Sequence, residues 1–255
     1  MSNASREWDG RSYDRLSGPM EQMAMPVLDR LELRGDETVL DAGCGSGRVT
    51  AALLARLPRG RVIAVDGSAE MLAAARERLA GEGRVDFLQA DLARLELREP
   101  VDAILSTATF HWVPDQAALY RSLRGALRPG GRLVAQCGGE GNIADVRAAI
   151  AESVASDPEL RTRLEGFDPW MFLAPDQTEE HLRAAGFTRA AAALQPWPVE
   201  TADGRAWLRT INLGSHIERL ADDALAERLV DAVHGRLGGD PLTLRYVRLN
   251  IDATA

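Results

Sequence analysis

Val39-Leu40-Asp41-Ala42-Gly43-Cys44-Gly45-Ser46-Gly47, followed by Val62-Ile63-Ala64-Val65-Asp66, decides the fold. The first stretch is a short apolar run that ends in an acid and enters a glycine turn. The second is an apolar run that ends in another acid. Between them Arg48 to Leu57 reads as a helix, because Val49, Leu53, Leu54 and Leu57 fall on one face. Pro58 stops it. The unit is strand, glycine turn, helix, strand, acid. Such a βαβ unit places a nucleoside-bearing ligand at the carboxyl ends of its strands. Glycines lacking Cβ let the backbone approach that ligand closely. An acid after the second strand accepts from both ribose hydroxyls.

The spacing of the glycines narrows the ligand. A dinucleotide turn reads G-x-G-x-x-G. Here Gly43, Gly45 and Gly47 make G-x-G-x-G, so the third glycine comes one residue early. Asp41 precedes the turn; it would repel a pyrophosphate but suits an ammonium group. S-adenosylmethionine carries an ammonium and a sulfonium and no phosphate, so the comparison favours a methyltransferase. Two alternatives stay open: an NAD-dependent oxidoreductase, and a non-catalytic cofactor-binding protein of the same fold.

The remaining sequence bounds the answer. The chain has 255 residues, 45% of them hydrophobic, enough for a real core. Helix and strand patterns alternate through the first half, which predicts a parallel sheet covered on both faces. No run of 18 apolar residues suggests a membrane span, and the polar start lacks a signal-peptide core. Cys44 and Cys137 form neither a disulfide framework nor a metal-ligand spacing. A cytoplasmic protein without a metal is the expectation. The formal net charge is −8 and no basic stripe is visible, which argues against a nucleic-acid partner. All 30 basic residues are arginine, so lysine-based Schiff-base chemistry is excluded.

Asp41 to Gly47 resembles the first motif of the class I S-adenosylmethionine-dependent methyltransferases. Val62 to Asp66, with Gly67, Ser68 and Met71, is similar to the second. Asp86 to Leu92 resembles the adenine-reading segment, Val101 to Ser106 the strand entering the active site, and Leu127 to Leu133 the turn into the fifth strand. These features span roughly residues 35 to 137 in the family's order. Within the family the chain is most similar to the trans-aconitate methyltransferase group, through Trp8 with Tyr13, the run Phe110-His111-Trp112-Val113-Pro114-Asp115, and Trp207-Leu208-Arg209.

The resemblance implies an α/β, doubly wound, mostly parallel seven-stranded sheet with an antiparallel end and a helical cap. It implies an amino-terminal lid over residues 1–35, a cofactor core over 36–137, and the rest of the sheet with the cap over 138–255, in a single domain. Tyr13 is a candidate lid residue. Asp41 would orient the ammonium group, with Gly43, Cys44 and Gly45 lining the turn. Asp66 and Gly67 would hold the ribose, and Met71 would pack on the adenine. Asp91 would accept from the adenine amino group beside the Leu92 backbone. Ser106 opens the segment after the fourth strand, where the methyl group points.

His111 is the candidate catalytic residue, as a general base or a hydrogen-bond donor. Trp112 and Arg209 are candidate substrate contacts, Arg209 as a clamp on a carboxylate. Glutamine is expected at position 111 in the trans-aconitate group. The histidine there fits an acceptor that must lose a proton, such as a phenol or hydroxyl. The expected partner is a small-molecule substrate; the sequence does not state an oligomeric state.

Overall fold

A computed structural model describes residues 18–255, with side chains from Gln22 onward. Tyr13 and Trp8 therefore lie outside the described residues. The strands are β1 (Thr38–Ala42), β2 (Arg61–Asp66), β3 (Val85–Gln89), β4 (Val101–Thr107), β5 (Leu127–Gly138), β6 (Arg189–Thr201) and β7 (Leu242–Thr254). They form one sheet in the order β3-β2-β1-β4-β5-β7-β6. β1 pairs in parallel with β2 and β4, β2 with β3, and β4 with β5, while β5 and β7 run antiparallel. The seven-stranded, mostly parallel sheet with an antiparallel end is the one expected from the sequence.

The apolar runs are continuous because both faces of the sheet are covered. On one face Val39, Val62, Ala64, Leu105 and Val134 pack with Leu53 and Leu54 of the helix Arg48–Ala55, with Leu57 just beyond that helix, and with Val27, Leu28 and Leu31. Val27 and Leu28 belong to the helix Gly18–Asp29. On the other face Leu40, Ala42, Val65 and Ile104 pack with Leu119, Tyr120 and Leu123 of the helix Gln116–Ala126. Two helices are capped by side chains: Ser68 accepts from the Met71 amide and Asp115 from the Ala118 amide.

Pro129-Gly130-Gly131 differs from its expected place as a turn ahead of the fifth strand. It lies inside β5. Val101 pairs with Leu127 and Ala103 with Arg132, so the intervening residues bulge out of the ladder. Gly130 takes φ +78°, and its amide is satisfied by the Ala255 carbonyl. Pro196 and Pro198 lie in β6, at the end of the strand order, where a missing N–H is tolerated.

The contacts divide the chain into two compact units. Of the described residues, the first comprises 18–140, 170–195 and 248–255; the second comprises 141–169 and 196–247. Residues 170–180 group with the first unit, where the Glu140 amide bonds to the Leu173 carbonyl and the Met171 amide to the His111 carbonyl. In the second unit the helices Ala144–Ser156, Pro158–Leu164, Gly214–Leu220 and Asp223–Arg236 accompany a buried polar triad. Trp207 Nε1 and Asn212 Nδ2 both donate to the Tyr246 hydroxyl. No helix of the described residues is long and apolar enough to cross a membrane.

Candidate functional site

The glycine turn after β1 is held by backbone bonds that leave it curled around the end of β2. Gly43 and Cys44 both donate their amides to the Val65 carbonyl, at 2.8 and 2.9 Å. Gly43 has φ +87°, and a Cβ there would lie 2.1 Å from Thr109 Oγ1. It is glycine because the segment after β4 is pressed against it. Gly45 is different: it has φ +53°, and a Cβ there meets nothing within 4 Å among the described residues. Packing does not demand that glycine, whereas close approach by a ligand would.

Three acids singled out from the sequence differ in environment. Asp66, at the end of β2, accepts from the Gly45 amide through one oxygen and from the Ser68 amide through the other, both at 2.9 Å. The acid thereby ties the turn down. Asp41, in β1, is fully buried and accepts from Thr50 Oγ1 at 2.6 Å. Burial pushes its carboxyl up to about 6; the Thr50 bond opposes the rise and the Asp66 charge adds to it. Asp91 is exposed and caps the short 3₁₀ turn Leu92–Arg94 by accepting from the Ala93 amide.

Other residues singled out from the sequence take structural duties. Ser106 is wholly buried and donates to the Ala42 carbonyl at 2.6 Å, pinning β4 to β1. Its hydroxyl is therefore used up inside the sheet, and a direct bond to a cofactor is not what this geometry offers. Leu92 is buried in the core and Met71 lies buried behind its own capped helix start. Gly67 presents its carbonyl to the Gln89 amide nitrogen. Both cysteines are buried, with thiols pushed up by burial, Cys137 to about 12, so neither is a nucleophile.

β4 ends in a sharp reversal. Ala108 takes φ +56° with its amide bonded to the Gln136 carbonyl, a conformation that costs an alanine energy. The 3₁₀ turn Phe110–Trp112 follows, and Gln116 Nε2 clamps it through the Phe110 and Val113 carbonyls. His111 is thereby buried against β5, its Nδ1 accepting from the Gly138 amide at 3.2 Å. Burial, and then the charge of Arg248, hold its pKa well below the usual 6.5. The ring is neutral at pH 7. An amide N–H only donates, so Nδ1 is the acceptor and the proton sits on Nε2. In this tautomer His111 offers an N–H through Nε2, and its lone pair is taken by the Gly138 amide. Its ring lies 5.0 Å from Trp112 and 5.5 Å from Phe172, and Trp170 stacks on Phe172.

Arg209 belongs to the second unit and is exposed. Its Nε is paired with Glu227 at 2.9 Å, and Arg205 bonds to the same carboxylate. Its guanidinium therefore balances a surface acid, and the structure gives it no clamp geometry. Among the described residues no group of three or more His, Cys, Asp or Glu is placed to hold a metal ion.

The sequence reading missed Thr50, Thr109, Gly138 and Arg248. Arg248 is buried in β7, and a shift of burial phase marks it. Residues 242, 244, 246 and 248 face inward, then 249, 251 and 253 do. A lone arginine at that change was the available signal.

Residues 39–131 are similar to the family described as "Methyltransferase domain". The glycine turn, both strand-end acids and β4 all fall inside the matched stretch. A trans-aconitate 2-methyltransferase of Azoarcus sp. (strain BH72) is 42% identical over 129 residues, covering 51% of this chain and 50% of that protein. One from Methylobacterium nodulans is 35% identical over 158 residues, covering 62% and 59%. The chain thus spans about half to three fifths of the length of these curated relatives. Among solved structures, Haemonchus contortus phosphoethanolamine N-methyltransferase 2, in complex with phosphomonomethylethanolamine and S-adenosylhomocysteine, superposes with TM-score 0.62. It is 20% identical and covers 96% of this chain and 57% of that one. That likeness extends the methyltransferase fold beyond the matched domain.

Proposed function

We propose that the protein is an S-adenosylmethionine-dependent methyltransferase that methylates an oxygen of a small carboxylate-bearing acceptor. The observation carrying this reading is Asp66. It sits at the end of β2, bonded to the Gly45 and Ser68 amides beside a glycine that packing leaves open. The residues fit the cofactor by their chemistry. Asp41, Asp66 and Asp91 form an acidic border, which suits an ammonium and a ribose and disfavours a pyrophosphate. In this reading Asp66 and Gly67 hold the ribose, Gly43, Cys44 and Gly45 face the amino-acid portion, and Asp41 acts on the ammonium through the turn. Asp91, Leu92 and Met71 frame the adenine. Ser106 acts only by holding β4 to β1, and Tyr13 is proposed as a lid contact.

The cofactor would supply a methyl group already activated by a sulfonium, for transfer to a carboxylate oxygen that needs no deprotonation. The protein's task is to align the oxygen with the methyl group and to exclude water. A carboxylate is ionised at pH 7 without help, and His111, neutral with its proton on Nε2, offers a hydrogen bond and no base. The relatives named as trans-aconitate 2-methyltransferases support an acceptor of this class. Trp112, with Trp170 and Phe172, walls the acceptor side.

Calorimetric titration with S-adenosylmethionine, with NAD as control, tests the reading first. Micromolar binding of S-adenosylmethionine alone is expected, together with label transfer from its methyl group to a carboxylate such as trans-aconitate. Binding of NAD alone, or of neither, overturns it.

A further inference from the structure

Thr109 lies between the glycine turn and the segment that carries His111. It holds the N-cap position of the 3₁₀ turn Phe110–Trp112, where a threonine ordinarily accepts from an amide of the turn it starts, and it makes no such bond. Its hydroxyl turns back instead. Oγ1 donates to the Thr107 carbonyl at 2.9 Å and reaches the Gly43 carbonyl at 3.4 Å. The rest of the side chain lies across Gly43. A Cβ on that glycine would sit 2.1 Å from Oγ1, 2.3 Å from Cγ2 and 2.6 Å from Cβ of Thr109. The missing side chain at Gly43 and the branched one at Thr109 are thus two halves of one close contact.

Both sides of this contact are held independently of it. The turn is fixed by the Gly43 and Cys44 amides on the Val65 carbonyl and by the Gly45 amide on Asp66. The reversal after β4 is fixed to β5 by the Ala108 amide on the Gln136 carbonyl and by the Gly138 amide on His111 Nδ1. Ser106 pins β4 to β1 through the Ala42 carbonyl, and Thr109 carries that pinning past the strand ends onto the next residue of the turn. An in-line transfer needs its reacting atoms aligned at about 3–3.5 Å, and a misplacement of about 1 Å can cost 10²-fold. A side chain wedged between the cofactor turn and the acceptor segment acts on that separation.

We propose that Thr109 is a positioning residue for methyl transfer, whose branched side chain, wedged on Gly43, fixes the His111 segment relative to the glycine turn. This rests on the reading of the site as a methyl-transfer site. Thr109 touches no reacting atom in this role and acts through Gly43 and His111. A ligand that steadies the turn then also steadies the segment after β4.

The test reads binding, turnover and amide exchange in the full chain, with trans-aconitate and a panel of mono-, di- and tricarboxylates as acceptors. Thr109→Ala is expected to lower kcat at least tenfold while the S-adenosylmethionine Kd and the acceptor KM stay within threefold, because the turn keeps its own bonds. Thr109→Val, which keeps the branched shape and loses the hydroxyl, is expected to return kcat to within threefold of wild type. The Trp112 and Val113 amides are bonded to the Thr109 and Phe110 carbonyls. In the wild type S-adenosylmethionine is expected to slow their exchange at least threefold, and Thr109→Ala is expected to lose that slowing. An unchanged kcat in Thr109→Ala, a Kd that rises as kcat falls, or a Thr109→Val enzyme as slow as Thr109→Ala overturns the wedge. If Thr109→Ala does not fold, or no carboxylate is methylated, wild-type exchange decides: exchange at Trp112 and Val113 that is indifferent to the cofactor overturns the wedge. Failure of the wild type to bind S-adenosylmethionine overturns instead the methyl-transfer reading beneath it.

Discussion

The Gly138 amide donates to Nδ1 of His111 at 3.2 Å and thereby fixes the imidazole as an Nε2–H tautomer. A base would need a free lone pair toward its substrate, and this ring turns its lone pair toward the strand. His111→Gln keeps a donor and cannot act as a base at all. It is expected to retain turnover within about tenfold of wild type. His111→Ala is expected to lose about 10²-fold, on the scale of a positioned proton partner. The wild-type rate is expected to show no histidine ionisation between pH 6 and 9. A His111→Gln enzyme as slow as His111→Ala, with a rate rising through pH 6 to 7 in the wild type, would restore the base.

Asp66 has two jobs, and its removal should be felt in both. Asp66→Ala is expected to weaken S-adenosylmethionine binding by about 1–3 kcal/mol, the scale of losing hydrogen bonds to a charged group. It also leaves the Gly45 and Ser68 amides without this acceptor. Titration of the variant checks the first effect, and faster amide exchange at Gly45 and Ser68 checks the second. Unchanged affinity removes Asp66 from the site.

Gly43 cannot take a side chain while Thr109 stands where it does. Gly43→Ala places a methyl 2.1 Å from Thr109 Oγ1, at a positive φ. The expected destabilisation is about 2–4 kcal/mol, from overpacking and backbone strain together. Thr109→Gly in the same chain is expected to recover the overpacking part, measured by urea unfolding. No recovery would mean that the strain of the turn alone sets the cost.

Asp41 makes stability depend on pH in a stated direction. Its folded pKa of about 6 lies above the ordinary value near 3.9. Between the two the native state binds more protons than the unfolded chain, so stability falls as pH rises through that window. Ionising the buried acid costs about 3 kcal/mol in full, from the linkage of the shift to free energy. Asp41→Asn keeps an acceptor for Thr50 and removes that cost. It is expected to be more stable than wild type at pH 8, with the gap closing as the pH is lowered toward 4. A constant gap across denaturation curves from pH 8 to 5 would show that Asp41 is not the titrating group.

Arg209→Ala is expected to change stability by less than about 1 kcal/mol, because its pair with Glu227 is exposed to solvent. Acceptor KM is expected to stay unchanged. A tenfold rise in KM would return the clamp to Arg209.

The βαβ unit of the cofactor half was legible in the sequence, whereas the seven-stranded sheet was expected from the family resemblance. The unit rests on local signals: apolar runs of strand length, the spacing of Gly43, Gly45 and Gly47, and the acid Asp66. Each acts within a few residues of itself. The bulge at Pro129 to Gly131 was misplaced because a turn signal does not say whether a neighbouring strand will pair on both sides of it. The duties of Ser106, His111, Arg209 and Arg248 were decided only by tertiary structure. Ser106 needed the Ala42 carbonyl 64 residues away, and Arg209 needed Glu227. The protonation of His111 depends on the Gly138 amide, brought to it by the pairing of β4 with β5. Arg248 became a buried cation only because β7 runs antiparallel to β5. Local sequence specifies which elements form, whereas the partner of a polar side chain, and with it its charge and tautomer, is set by residues distant in the chain.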